Sequence, residues 1–256
     1  MKNLVYLFII ILLSSCGDDL GSSAGDSSTS SNTQSGSYAN MLVVSGFLYA
    51  ISESQIITFS LENPESPEEI HRRDLAFGVE SMFHRSGILF IGSQESMFIF
   101  EIGADGIPDF KSKTDYTFEF ELTPCDPVVA NESTAIASLS SREVDGPCGS
   151  LTINEIRFYD IMDITSPQLF ETIAMSQPKG LALDGDYLFV CEANDGLKVF
   201  DISNLQEIEL IFHHPDLKTF DAIATGSILL VVGPTALYEF DYQDISNIHL
   251  VGSFDL

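Results

Sequence analysis

From residue 38 onward the chain alternates short apolar runs with turn-forming residues and shows no long stretch of helical period. In the clearest passage the apolar runs Tyr187 to Cys191 and Leu197 to Phe200 flank Asp195-Gly196, a hairpin-turn pair. The pattern recurs. An aromatic, then an acid or serine, then an apolar residue appears as Phe59-Ser60-Leu61, Phe100-Glu101-Ile102, Tyr159-Asp160-Ile161, Phe200-Asp201-Ile202 and Phe240-Asp241-Tyr242. The aromatics stand at 59, 100, 159, 200 and 240, so three of the four steps are 40 or 41 residues. Eight residues after each stands Pro67, Pro108, Pro167, Ile208 or Ile248, with turn residues such as Asn63-Pro64 and Asp105-Gly106 between. Upstream of each pair of runs lies a further short one, such as Val128-Val129-Ala130 or Ala222-Ile223-Ala224.

Each unit therefore reads as four short strands in about 41 residues, which is the arithmetic of a propeller blade. A lone four-stranded sheet cannot bury both faces, so the units must stack around an axis. The expected fold is all-β, a β-propeller of five four-stranded blades. The step of 59 residues places an insertion in the third unit, roughly 139 to 154. A β-sandwich is the alternative architecture, but it does not account for a regular period.

The N-terminus follows a different pattern. Met1-Lys2-Asn3 leads into the apolar stretch Leu4 to Leu13, followed by Ser14-Ser15-Cys16. Ten residues span about 15 Å as helix against a bilayer core of about 30 Å, so residues 1–15 read as a secretory signal peptide and not as a membrane anchor. Leu13-Ser14-Ser15-Cys16 resembles a bacterial lipobox, which would make Cys16 the lipidated first residue of the mature chain. The remainder of 16–37 is rich in Ser, Gly, Thr, Asn and Asp, without an apolar pattern, and reads as a disordered tether of roughly 25 Å average span. Gly17-Asp18-Asp19 resembles the export signal of Bacteroidetes-type surface lipoproteins. The expected location is the outer membrane, facing periplasm or cell surface, with the lipid as membrane contact and residues 38–256 as the propeller domain.

Charge narrows the partners. The chain has 38 Asp and Glu against 11 Lys and Arg. This opposes nucleic-acid binding, which requires cations to neutralise phosphates. Three cysteines remain besides Cys16. Cys125 and Cys148 lie in turn-like settings, Thr-Pro-Cys-Asp-Pro and Gly-Pro-Cys-Gly, and in an oxidising compartment they are expected to pair at the base of the insertion, contributing about 3 kcal/mol. Cys191 sits within an apolar run and reads as a buried, inert thiol.

The phrase Leu197-Lys198-Val199-Phe200-Asp201-Ile202-Ser203 resembles the core of the LVIVD repeat, found in bacterial lipoproteins and surface proteins. Ile91-Gly92-Ser93-Gln94, Cys125-Asp126-Pro127-Val128-Val129 and Gly180-Leu181 are similar to phrases of its Bacteroidetes-type members. The resemblance implies a propeller fold and no particular biochemical activity.

Nucleophile-elbow, zincin, P-loop and calcium-loop motifs are absent from residues 38–256. The histidines, His71, His84, His213, His214 and His249, form no ligand spacing, and the chain has no Trp for sugar stacking. Asn131-Glu132-Ser133 matches a glycosylation sequon, which carries little meaning in a bacterial lipoprotein. One constellation follows from aligning the units on Leu48, Leu89, Ala135, Leu188 and Leu229. Eight or nine residues upstream, at the start of each first strand, stand Asn40, Glu80, Asp126, Lys179 and Asp221. First strands line the axis of a propeller, so these residues are expected to ring one axial opening. Glu80, Asp126 and Asp221 could hold a divalent cation such as calcium or act as acid and base; equally, they could cap strand ends in solvent. Two functions follow. One is a lipid-anchored binding or scaffold module for an unknown protein or small molecule. The other is an extracytoplasmic hydrolase or lyase working through the axial acids.

Overall fold

The structure, a computed structural model, describes residues 39–52, 54–75, 78–116, 127–140 and 153–256. The signal peptide, Cys16, the tether, Asp126 and the expected Cys125–Cys148 pair lie outside the described residues.

Five four-stranded antiparallel sheets follow one another along the chain, one per sequence unit. Blade 1 holds β1 (Met41–Val44), β2 (Phe47–Ser52), β3 (Gln55–Ser60) and β4 (Glu68–Asp74). Blade 2 holds β5 (Val79–Arg85), β6 (Ile88–Ser93), β7 (Ser96–Ile102) and β8 (Pro108–Asp115). Blade 3 holds β9 (Val128–Ala130), β10 (Thr134–Ser140), β11 (Asn154–Asp160) and β12 (Gln168–Ala174). Blade 4 holds β13 (Pro178–Asp184), β14 (Tyr187–Glu192), β15 (Gly196–Asp201) and β16 (Glu209–His214). Blade 5 holds β17 (Asp221–Ala224), β18 (Ile228–Val232), β19 (Ala236–Asp241) and β20 (His249–Asp255). Among the described residues the strands of each sheet follow one another in sequence, and no strand is exchanged between blades. The insertion falls between β10 and β11, which lie 13 residues apart against two or three in the other blades.

The five alignment residues each pair with the repeat aromatic of their own unit: Leu48 with Phe59, Leu89 with Phe100, Ala135 with Tyr159, Leu188 with Phe200 and Leu229 with Phe240. At each aromatic the ladder to the fourth strand slips by one residue, leaving Ile70, Lys111, Phe170, Ile211 or Val251 as a bulge. The acid after the aromatic is a turn cap: Asp160, Asp201 and Asp241 accept the amide two residues on, at 2.9 Å each. A second Asx turn follows in every blade, at Asn63, Asp105, Asp163, Asn204 and Asp244. The apolar third residue donates its amide to the first hairpin of its blade, for example Ile202 N to Asp186 O at 2.8 Å. Asn131 of the sequon also caps a turn, accepting from Ser133 N and Thr134 N.

Alternate residues on each sheet bury against opposite neighbours. Leu188 and Val190 of β14 pack toward blade 3, with Ile136, Ile156 and Phe158. Phe189 and Cys191 pack toward blade 5, with Ala222, Leu229, Val231 and Phe240. Because both faces are covered, inner strands read as near-continuous apolar runs. Comparable clusters join blades 1 and 2 and blades 2 and 3. Tyrosines lock two seams. Tyr49 donates to Gly106 O at 2.8 Å, and burial together with Asp105 pushes its pKa up to about 12. Tyr242 donates to Asp184 and accepts from Gly226 N, both at 2.7 Å. Among the described residues no apolar cluster joins blade 5 to blade 1. The residues those blades turn outward, Val43, Leu48 and Phe59 on one and Ile223, Leu230 and Val232 on the other, are half-buried.

Candidate functional site

The five first strands surround a cavity of about 690 Å³. Val44 of β1, Phe83 of β5, Val129 of β9, Ala182 of β13 and Ala224 of β17 all line it. All but Val129 stand near the downstream end of their first strand, so the cavity occupies the end of the axis that carries the first hairpins. Two of those hairpins, Ser45-Gly46 and Ser86-Gly87, turn through left-handed residues with φ of 51° and 83° and of 49° and 81°, which suits two-residue connections.

The polar groups at this cavity come from blades 1 and 2. His84 accepts from Gly87 N through Nε2 at 3.1 Å, so the neutral ring carries its proton on Nδ1. Burial, then the neighbouring Arg85, holds its pKa below the ordinary histidine value. Arg85 reaches across the seam to Glu132, with Nε 3.0 Å from Oε1. The hydrogen bond from Arg85 lowers the Glu132 pKa. Apart from Ser45 and Ser86 the other side chains are apolar or small. The site thus offers an uncharged imidazole donor, hydroxyls and apolar walls, a set suited to holding a ligand. Sequence reasoning missed this end of the axis. Its lining residues are common in strands and turns, and only His84 carries a chemical signature.

Four of the five residues expected to ring the axis, Asn40, Glu80, Lys179 and Asp221, stand at the opposite end. Asn40 immediately precedes β1 and is exposed; Glu80, Lys179 and Asp221 stand at or beside the starts of their first strands and are half-buried. Glu80 and Lys179 lie at irregularities of the β5 and β13 ladders. Glu80 accepts from Gln94 Nε2 at 3.1 Å. Asp221 lies against the backbone of Gly180, where a Cβ would fall 2.2 Å from Oδ1, and Gly180 N donates to Phe220 O at 2.7 Å. The glycine is therefore required for the first strands of blades 4 and 5 to meet. The backbone likewise joins blades 1 and 2 beside Asn40 and Glu80, through Met82 N and Ala39 O at 2.9 Å. Among the described residues no three His, Cys, Asp or Glu converge as metal ligands, and Asp126, the third acid of the expected set, lies outside them.

Blade 4 holds a buried ion pair that the sequence did not single out. Glu192 ends β14 fully buried, accepting from Lys198 Nζ at 3.0 Å and from the amides of Ser176 and Gln177 at 3.1–3.2 Å. Lys198 also pairs with Asp195 at 2.7 Å. Burial works against the Lys198 ammonium, but the two carboxylates outweigh it and hold its pKa above the ordinary lysine value. With these donors around it, Glu192 anchors the entry to β13 and so the backbone at Lys179. Ser52, Ser93, Leu139 and Gly233 occupy its place in the other units, so it is not a repeated element. Cys191 is fully buried, and burial followed by the charge of Asp221 pushes its thiol far up, as its inert reading requires. Gly196 opens β15 with φ of 76°, and a Cβ there would fall 1.8 Å from His214 O, so the glycine is required where β15 meets the end of β16.

No curated protein matches the chain in sequence. Solved structures match in fold. A functionally unknown protein from Desulfotomaculum acetoxidans DSM 771 aligns with a TM-score of 0.63 at 14% identity, over 85% of this chain and 69% of that one. BamB from Moraxella catarrhalis aligns with 0.53 at 10% identity, over 84% and 63%. Apo AztD from Citrobacter koseri aligns with 0.55 at 14% identity, over 83% and 60%. The chain thus spans 60 to 69% of the length of these proteins, and identities this low establish the fold alone. The LVIVD repeat family matches residues 177–214, the stretch that forms β13 to β16. With five four-stranded sheets of one design and solved structures of like fold, the protein is a β-propeller, and the stretch that forms its fourth blade matches the LVIVD repeat.

Proposed function

We propose that the protein is a lipid-anchored binding module at the bacterial outer membrane, facing the periplasm or the cell surface, whose propeller holds a small ligand at the hairpin end of its axis. The observation that carries the reading is the cavity of about 690 Å³, to which all five blades contribute. Its volume suits a small organic molecule, and its wall sets apolar side chains beside the polar groups of Ser45, His84, Arg85 and Ser86. The anchor rests on Cys16 and the polar tether that follows it.

A thermal-shift screen of small metabolites tests the cavity. Hits that raise Tm and are lost in His84→Ala support it; hits that all survive that substitution overturn it. Metabolic labelling with an alkynyl fatty acid, compared between the unaltered chain and Cys16→Ala, tests the anchor. The competing hydrolase or lyase reading needs Glu80, Asp126 and Asp221 to act together. A rise in Tm with millimolar calcium that is abolished by Glu80→Gln would favour it.

A further inference from the structure

A second recess lies on the outer seam between blades 1 and 2, with a volume of about 280 Å³ and no lining residue in common with the axial cavity. β4 supplies Arg73 and Asp74, β7 supplies Phe98 and Phe100, and β8 supplies Phe110 and Lys113. The Arg73 guanidinium lies 5.5 Å from the centre of the Phe100 ring, and the Lys113 ammonium 5.9 Å from that of Phe98. Phe110 is 44% exposed and meets Phe100 edge-on, at 5.7 Å and 67°.

The charges around the recess are satisfied, with one exception. Arg72 pairs with Glu69, Lys111 with Glu101 and Asp109, and Lys113 with Asp115. Asp74 accepts from Gln55 at 2.6 Å. Arg73 makes no ion pair among the described residues, in a chain where acids outnumber bases 38 to 11. The cation–π contact with Phe100 holds the guanidinium at the recess, and a guanidinium offers its N–H groups as a fork to a planar anion. Beside the fork stands the exposed face of Phe110.

We propose that this recess binds small aromatic carboxylates. The carboxylate takes the Arg73 fork in a bidentate pair, and the ring lies against Phe110. A volume of about 280 Å³ accommodates one ring with a short acidic arm. The carboxylate supplies the partner that Arg73 lacks among the described residues.

Titration of the full chain with benzoate and with its uncharged isostere benzamide, followed by saturation-transfer NMR, tests this. Benzoate is expected to bind at millimolar concentration and benzamide at least about tenfold more weakly. Arg73→Gln should weaken benzoate by about tenfold, Phe110→Ala should weaken both probes, and His84→Ala in the axial cavity should change neither. Equal binding of benzoate and benzamide overturns the proposal, as does undiminished benzoate binding by Arg73→Gln or no benzoate binding. Should Arg73→Gln fail to fold, the contrast between the two probes on the unaltered protein decides alone.

Discussion

Blades 1 and 4 share strand order, register and the bulge beside the repeat aromatic, yet their side chains meet different surroundings. Leu188 in blade 4 is fully buried against blade 3, whereas Leu48, at the same place in blade 1, is half-buried. Phe200 is 5% exposed; its counterpart Phe59 is half-buried. Where blade 4 ends its second strand on the fully buried Glu192, blade 1 has the exposed Ser52. The repeat thus specifies the backbone, and position in the series decides how much stabilisation each copy contributes. An inner blade buries two faces, while blades 1 and 5 each leave one without a matching apolar cluster among the described residues.

The largest expected difference concerns the buried ion pair. Lys198→Met leaves the Glu192 carboxylate buried without its cation and should cost about 3–5 kcal/mol in chemical denaturation, much of it recovered by adding Glu192→Gln. Ser52→Ala should change stability by less than about 0.5 kcal/mol. Comparable losses would mean that the two blade mouths are equivalent. Truncation of the alignment residue follows in size. Leu188→Ala should cost about 3 kcal/mol and Leu48→Ala about 1 kcal/mol, measured as the difference in denaturation midpoints at equal slope. Equal costs would show that blade 5 covers Leu48 in solution.

A smaller effect separates the outward face of blade 5. Glu239 occupies the place of the buried Ile99, Phe158 and Val199 and is half-buried. Glu239→Ile should therefore shift stability by no more than about 1 kcal/mol, read from denaturation. The smallest effect is a pH dependence. The hydroxyl and amide of Ser203 hold the Asp201 pKa below the ordinary carboxylate value. Its contribution is complete above the unfolded pKa and is lost as pH falls through the lower folded value, so Asp201→Ala should lower stability slightly near neutrality and flatten the acid limb of the stability profile below about pH 4, where the two proteins converge.

The strand framework was legible because it is written in period and punctuation. Phe59, Phe100, Tyr159, Phe200 and Phe240 marked the third strands, and the long step to Tyr159 located the insertion. The bulges were not legible, since a one-residue slip on the fourth strand leaves the spacing of the third unchanged. The acid after the aromatic was visible as a pattern, but its reason, capping the turn that follows, needed the backbone. The axial residues were placed at the mouths of the first strands, where Glu80, Lys179 and Asp221 stand. The cavity at the other end escaped notice because a wall of Val, Ala, Phe and Ser looks like any other strand. Glu192 and Lys198 were hidden for a related reason: they meet across a hairpin, and only burial distinguishes them from an exposed pair.

Every sheet takes its four strands from one uninterrupted stretch of chain. A gene of this design can gain or lose a blade by duplicating or deleting about 41 codons in frame, with no strand left to find a new partner. A propeller whose last sheet borrows a strand from its first would have to reopen to accept such a change. Here blade number is free to vary by inheritance, and the circumference of the axial chamber, and with it the size of the molecule it can admit, varies in steps of one repeat.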